Sequence, residues 1–199
     1  SQTWQTVVAT SGTGSSNVTA TAADASGNVY LAGTFTGTVS FGSTTLTARS
    51  ATVSDLFVAK WSAAGGFAWV QQADAGADQP TAVAINGPSV YITGFFNGPT
   101  SSFGSSVLTN TSATSTNDVF LTKLTDGGTT GTFNWAQQAG GFNNEQANIL
   151  AVIGISVYMG GMFESTTFTL SRSTLPNTGV RNGFVAKFAD AGTTSSMVW

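Results

Sequence analysis

The sequence predicts an all-β protein built from three copies of one unit, and three observations predict it. Anchor residues recur at a fixed period. The three tyrosines share one frame, Val29-Tyr30-Leu31-Ala32-Gly33, Val90-Tyr91-Ile92-Thr93-Gly94 and Val157-Tyr158-Met159-Gly160-Gly161. The three lysines close Phe57-Val58-Ala59-Lys60, Phe120-Leu121-Thr122-Lys123 and Phe184-Val185-Ala186-Lys187, and Trp4, Trp69, Trp135 and Trp199 are spaced by 65, 66 and 64 residues. Such a period marks a repeated supersecondary unit. The apolar residues form short alternating runs between turns, with no stretch of helical period bounded by caps, which is a strand pattern. Composition agrees: 24 glycines supply turns, and threonine fits a pleated surface through its branched Cβ.

The elements of a unit follow in order. A segment with an aromatic and a Trp opens it (Phe67-Ala68-Trp69-Val70 and Phe133-Asn134-Trp135-Ala136, with Trp4-Gln5-Thr6-Val7-Val8 as a degenerate version). A strand of small residues comes next, at Thr19–Ala23, Thr81–Ile85 and Ile149–Ile153. Asp24-Ala25-Ser26-Gly27-Asn28, Asn86-Gly87-Pro88-Ser89 and Gly154-Ile155-Ser156 read as tight turns, where Gly and Asn tolerate positive φ. The Tyr strand follows, then an extra hairpin (39–47, 102–109, and a version around Phe168-Thr169-Leu170 that lacks the glycine), then the Lys strand.

Four strands plus an inserted hairpin per repeat is the pattern of a β-propeller blade. The small first strand suits the crowded axis, and the nearly all-apolar Tyr strand suits a position covered on both faces. The expected architecture is therefore three β-propeller-type blades of four antiparallel strands with an inserted hairpin, open unless completed by oligomerisation. The boundaries are 1–66 for an N-terminal strand plus blade 1, 67–132 for the outer strand of blade 1 plus blade 2, and 133–199 for the outer strand of blade 2 plus blade 3 with a truncated last strand.

The runs Asp24–Phe35, Phe41–Thr47, Asp55–Trp61 and Phe67–Ala73 resemble the bacterial seven-bladed β-propeller repeat family, and all three copies carry the resemblance. The third copy departs from it, with no Asp-Gly-Asn turn and with Asn182-Gly183 where the others have Asp55 and Asp118. The resemblance implies a propeller fold and a secreted or surface-attached bacterial protein. It implies no reaction and no cofactor.

Charge and composition exclude several functions. Only 8% of residues are charged, the net charge is −3, and six scattered cations form no stripe for phosphates, so nucleic acid is not the expected partner. No apolar run is long enough to span a bilayer as a helix. Without His or Cys the usual general base, thiol nucleophile and transition-metal ligands are missing, so no catalytic and no metal site is assigned. Asp24, Asp78, Asp126 and Asp190 read as turn residues, and Asp24 with Asn28 is too poor in carboxylate for Ca²⁺. The lysines read as solvated strand ends or partners of Asp55 and Asp118.

Three blades cannot close about an axis. The strand Trp4, Gln5, Thr6, Val7, Val8, Ala9 and the short strand Met197, Val198, Trp199 are therefore the candidate self-assembly elements, joining copies head to tail as a ring or filament. A fragment of a larger propeller is an alternative. So is a carbohydrate-binding module with Trp69 and Trp135 as sugar-stacking residues on exposed outer strands; otherwise the aromatics are core. Asn17 and Asn110 begin glycosylation triplets, placed in or before loops. A neutral Thr/Ser-rich surface with few lysines suits a secreted bacterial protein, and the expected function is that of a non-enzymatic extracellular structural protein.

Overall fold

The computed structural model describes residues 9–50, 52–75, 77–112 and 116–199. It is all-β. After β1 (Ser11–Gly12), unit I comprises β2 (Ser15–Ala23), β3 (Val29–Thr36), the hairpin β4 (Thr38–Phe41) and β5 (Thr44–Thr47), β6 (Asp55–Trp61) and β7 (Phe67–Ala75). Unit II repeats it as β8 (Asp78–Asn86), β9 (Ser89–Phe96), β10 (Thr100–Phe103), β11 (Ser106–Thr109), β12 (Asp118–Asp126) and β13 (Gly131–Gly140). Unit III repeats it as β14 (Glu145–Ile153), β15 (Ser156–Phe163), β16 (Thr167–Leu170), β17 (Ser173–Pro176), β18 (Asn182–Asp190) and β19 (Ser195–Met197).

The four main strands of each unit pair antiparallel in chain order, β2-β3-β6-β7, β8-β9-β12-β13 and β14-β15-β18-β19, and no sheet closes on itself. The inserted hairpin does not stay with its own sheet. β10 of unit II pairs with β7 of unit I, and β16 of unit III pairs with β13 of unit II, so the Trp strand is not an edge there. The hairpin β4–β5 makes the same kind of contact with β1. Each hairpin nevertheless packs on its own unit: Phe41 lies 4.7 Å from Phe57, Phe103 4.9 Å from Phe120 and Phe168 4.8 Å from Phe184, ring centre to ring centre. A hairpin that bonds to one unit and packs on the next straps the two together. Its turn uses Gly42 (φ 61°) and Gly104 (φ 60°), while the third copy holds Ser171 in the same left-handed conformation (φ 55°).

Apolar cores form between units. One joins Tyr30, Val58 and Trp69 of unit I to Ile92, Phe120 and Leu124 of unit II. Another joins Tyr91, Leu121 and Trp135 of unit II to Met159, Phe184 and Phe188 of unit III. β9 and β12 are therefore covered on both faces, which explains why they are almost continuously apolar.

The glycine that ends each Tyr frame has a steric cause. β2, β8 and β14 each carry a bulge opposite it, at Val18/Ala20, Pro80/Ala82 and Ala147/Ile149. The bulge pushes a carbonyl oxygen to 2.0, 2.0 and 1.9 Å from where a Cβ would stand on Gly33, Gly94 and Gly161. It also turns the extra residue towards the next unit: Thr19 Oγ1 donates to Pro80 O and Thr81 Oγ1 to Ala147 O, both at 2.5 Å. Gly94→Ala should cost about 3 kcal/mol or more of stability through backbone displacement in a packed core. Urea unfolding would show it, and a loss under 1 kcal/mol would contradict the steric account.

Candidate functional site

Tyr, Lys and Trp recur together because they are cross-strand neighbours. Tyr30 pairs with Lys60 and Lys60 with Trp69; Tyr91 pairs with Lys123 and Lys123 with Trp135. A bulge in β7 beside Lys60/Trp61, and in β13 beside Lys123/Leu124, sets each tryptophan into the row. The result is one donor from each of three adjacent strands, all aimed at the next unit.

There they meet one carboxylate. Asp126, the last residue of β12, accepts from Lys60 Nζ (2.6 Å), Tyr30 Oη (2.6 Å), Trp69 Nε1 (2.8 Å) and Gly128 N (2.8 Å). Asp190 accepts from Lys123 Nζ (2.5 Å), Tyr91 Oη (2.7 Å), Trp135 Nε1 (3.0 Å) and Gly192 N (3.0 Å). Burial works against the charge of Asp126, but the four donors prevail and hold it down at about 2; Asp190 is lowered by the same set against the same burial. Burial, then the carboxylate, pushes Tyr91 up to about 12 and Tyr30 further.

These contacts correct several expectations. Lys60 and Lys123 are buried and pair with Asp126 and Asp190 of the following unit, not with Asp55 or Asp118. Trp69 and Trp135 are 4% exposed, their indole N–H groups are taken by aspartates, and Gly131 lies against the Trp69 ring, so neither offers an open face to a sugar. Asn17 lies in strand β2, not a loop. Asn110 donates from Nδ2 to Thr116 O and accepts from Ser112 N, which ties its amide into the loop.

The opposite end of each joint holds a second repeated polar group that the sequence reading missed. Asp78 is a buried strand residue, not a turn residue; it is coupled electrostatically to Asp55 across units I and II, as Glu145 is to Asp118 across units II and III. All four side chains are buried. Backbone and hydroxyl donors serve them in part: Arg49 N reaches Asp55, Ser101 Oγ reaches Asp78, Thr111 N reaches Asp118 and Gly141 N reaches Glu145. Among the described residues no hydrogen-bond partner meets Asp78 Oδ1 or Asp118 Oδ1. Burial raises Asp78 well above its usual value and also raises Asp118 and Glu145.

In unit III the row is present, and among the described residues no carboxylate pairs with it. Tyr158 pairs with Lys187, and Lys187 N donates to Trp199 O while Val198 N donates to Lys187 O, both at 2.8 Å. Met197 therefore ends the fourth strand of unit III, and Val198 and Trp199 continue its pairing with β18, which sets Trp199 in the place Trp69 and Trp135 hold in their units. Trp4, Gln5, Thr6, Val7 and Val8 lie outside the described residues, and Ala9 is exposed. Among the described residues no group of three or more His, Cys, Asp or Glu is placed to hold a metal, and no helix is long and apolar enough to cross a membrane. Comparison with protein-family models and with curated proteins returns no match.

Asp126→Asn should cost about 3 kcal/mol at neutral pH, because it strands the buried Lys60 ammonium, and adding Lys60→Met should recover much of the loss. Urea unfolding of the four chains tests this; additive losses would contradict the coupling. The pH dependence has two arms. Asp126 and Asp190, lowered in the fold, contribute stability that is full above the ordinary carboxylate value of 3.8 and is lost as pH falls through their lowered values, about 2 for Asp126. Asp78, Asp118 and Glu145, raised in the fold, contribute stability that is full below their ordinary values and is lost as pH rises through the raised ones. Asp78→Asn should therefore stabilise the chain at pH 7 by about 1–3 kcal/mol and flatten the decline above pH 4. An unchanged pH slope would overturn the assignment.

Proposed function

We propose that the protein is a non-enzymatic extracellular structural protein whose three β-propeller-type blades associate end to end, each open face being covered by a blade of another copy. The observation that carries the reading is that positions buried at the two internal joints are half-buried on the outward face of unit I and exposed on that of unit III.

On unit I, Val29, Leu31 and Trp61 line with Phe41 and Phe67 an apolar groove of about 530 Å³. Their counterparts Val90, Ile92 and Leu124 in unit II, and Val157, Met159 and Phe188 in unit III, are buried. On unit III, Val185 is 61% exposed, whereas its counterparts Val58 and Leu121 are fully buried. The polar positions fit as well. Asn182 stands where units I and II have Asp55 and Asp118, and Ser16 stands where units II and III have Asp78 and Glu145. A joint of unit III with unit I would set Asn beside Ser, without the carboxyl repulsion of the internal joints. A rotation that closes makes a six-bladed ring of two copies, and one that does not makes a filament.

Sedimentation velocity over a concentration series tests the reading. The wild-type chain should associate. Val185→Glu, which adds a charge to an apolar joint but sits exposed in the free chain, should weaken association about a hundredfold with an unchanged far-UV spectrum. A wild-type chain that stays monomeric throughout would overturn it.

A further inference from the structure

The row Tyr158–Lys187–Trp199 is already set in the geometry of the two occupied rows. Lys187 Nζ lies 5.6 Å from the centre of the Tyr158 ring, against 5.7 Å for Lys60 over Tyr30 and 5.9 Å for Lys123 over Tyr91. Tyr158 and Trp199 are 6.4 Å apart at 56°, against 6.1 Å at 56° for Tyr30 with Trp69 and 6.2 Å at 51° for Tyr91 with Trp135. Yet among the described residues no carboxylate lies within 4 Å of Lys187, and Trp199 is 54% exposed. The row thus repeats the ring and ammonium geometry that meets an aspartate in the other two copies, and among the described residues no carboxylate meets it.

The occupied copies define what fits. In each, the aspartate is the third residue after the lysine of its own unit, and the glycine two residues further on, at φ 89° or 91°, donates its N–H to the carboxylate. Asp126-Gly127-Gly128 and Asp190-Ala191-Gly192 are therefore one element, an Asp-small-Gly turn that orients its own carboxylate before docking. In unit I the third residue after Lys60 is Ala63, and the turn is shorter.

We propose that Tyr158, Lys187 and Trp199 form a recognition site for the carboxylate of an Asp-small-Gly turn presented by a partner β-unit. Unit I of a second copy covers the face but leaves this site unfilled. The inference rests on the end-to-end reading of that face and adds a selection rule to it. Covering Lys187 without a counter-charge is costly, and covering it with a matched carboxylate gains charge-assisted hydrogen bonds, so the site discriminates between partners that are alike in apolar shape. Because the row is formed in advance, little ordering opposes binding.

The test gives the chain the missing turn. Residues 62–66 are replaced by the sequence of residues 125–132, and a control graft carries the same sequence with Asp126→Asn. Both grafts keep the loop shape and are checked by far-UV circular dichroism. Sedimentation should show the aspartate graft associating about tenfold more tightly than the control. That difference should shrink in 0.5 M salt and vanish when Lys187→Met is added. In ¹⁵N-labelled wild-type chain, the Trp199 indole N–H resonance should move on adding the aspartate graft and not the control. Grafts that associate equally, or a difference that survives Lys187→Met, would overturn the proposal. If the wild type associates while the grafts are equal, the end-to-end reading stands and the recognition site falls. If the wild type is monomeric and the aspartate graft associates, the recognition site stands and self-association of the natural chain falls.

Discussion

The joint between neighbouring units depends on one carboxylate held by three donors of the unit before it. An apolar interface is non-directional, so sheets such as these could slide or rotate at small cost. A buried aspartate removes that freedom, because its desolvation is offset only where the ammonium, phenol and indole converge. Asp126 meets Lys60, Tyr30 and Trp69 in one placement of unit II on unit I, and Asp190 repeats the arrangement on unit III. The threonine bridges pin the joint a second time along β2, β8 and β14, from Thr19 to Pro80 and from Thr81 to Ala147. The hairpin strap pins it a third time at the far edge.

An array built this way is quasi-one-dimensional, each unit contacting its neighbours in sequence. Unit II is covered on both faces by units I and III, whereas among the described residues no further unit covers the outer face of unit I or of unit III. The joint, more than the sheet, is the unit of stability: Trp69 belongs by sequence to unit I, but its ring and its indole N–H are both satisfied by unit II.

The period, the strand order and the all-β class were legible in the sequence because repeated anchors and turn residues are local signals. The partner of the lysines was misread, although a strand argument was at hand. Asp55 and Lys60 lie five residues apart on one strand, so they point to opposite faces and are separated by about 16 Å at roughly 3.3 Å per residue. The better signal was the aspartate three residues after Lys123 and Lys187, but Ala63 breaks it in the first copy. The hairpin's pairing with the preceding unit was not legible, since β pairing across units is non-local. That same pairing, with the packing of the next unit, is why Trp69 and Trp135 are buried when an outermost strand would have exposed them. Asp78 was misread because Asp is common in turns, and nothing local distinguishes an acid that caps a turn from one that starts a buried strand.

The two ends of a joint place opposite electrostatic demands on the same chemical group. At one end Asp126 and Asp190 are held charged; at the other, burial disfavours the charged forms of Asp78, Asp118 and Glu145, with Asp55 placed beside Asp78. A covalently linked pair of units can carry such a conflict, because the tether supplies a high effective concentration and the joint need not overcome the entropy of association. A joint between separate molecules lacks that help. The open faces answer with Asn182 and Ser16, side chains that can hydrogen-bond without bringing two acids together. On the proposed end-to-end reading, the neutral pair is what allows an intermolecular joint to form where an acid pair would oppose it. The vacant row at Lys187 then confines the remaining selectivity to one residue in the partner's turn.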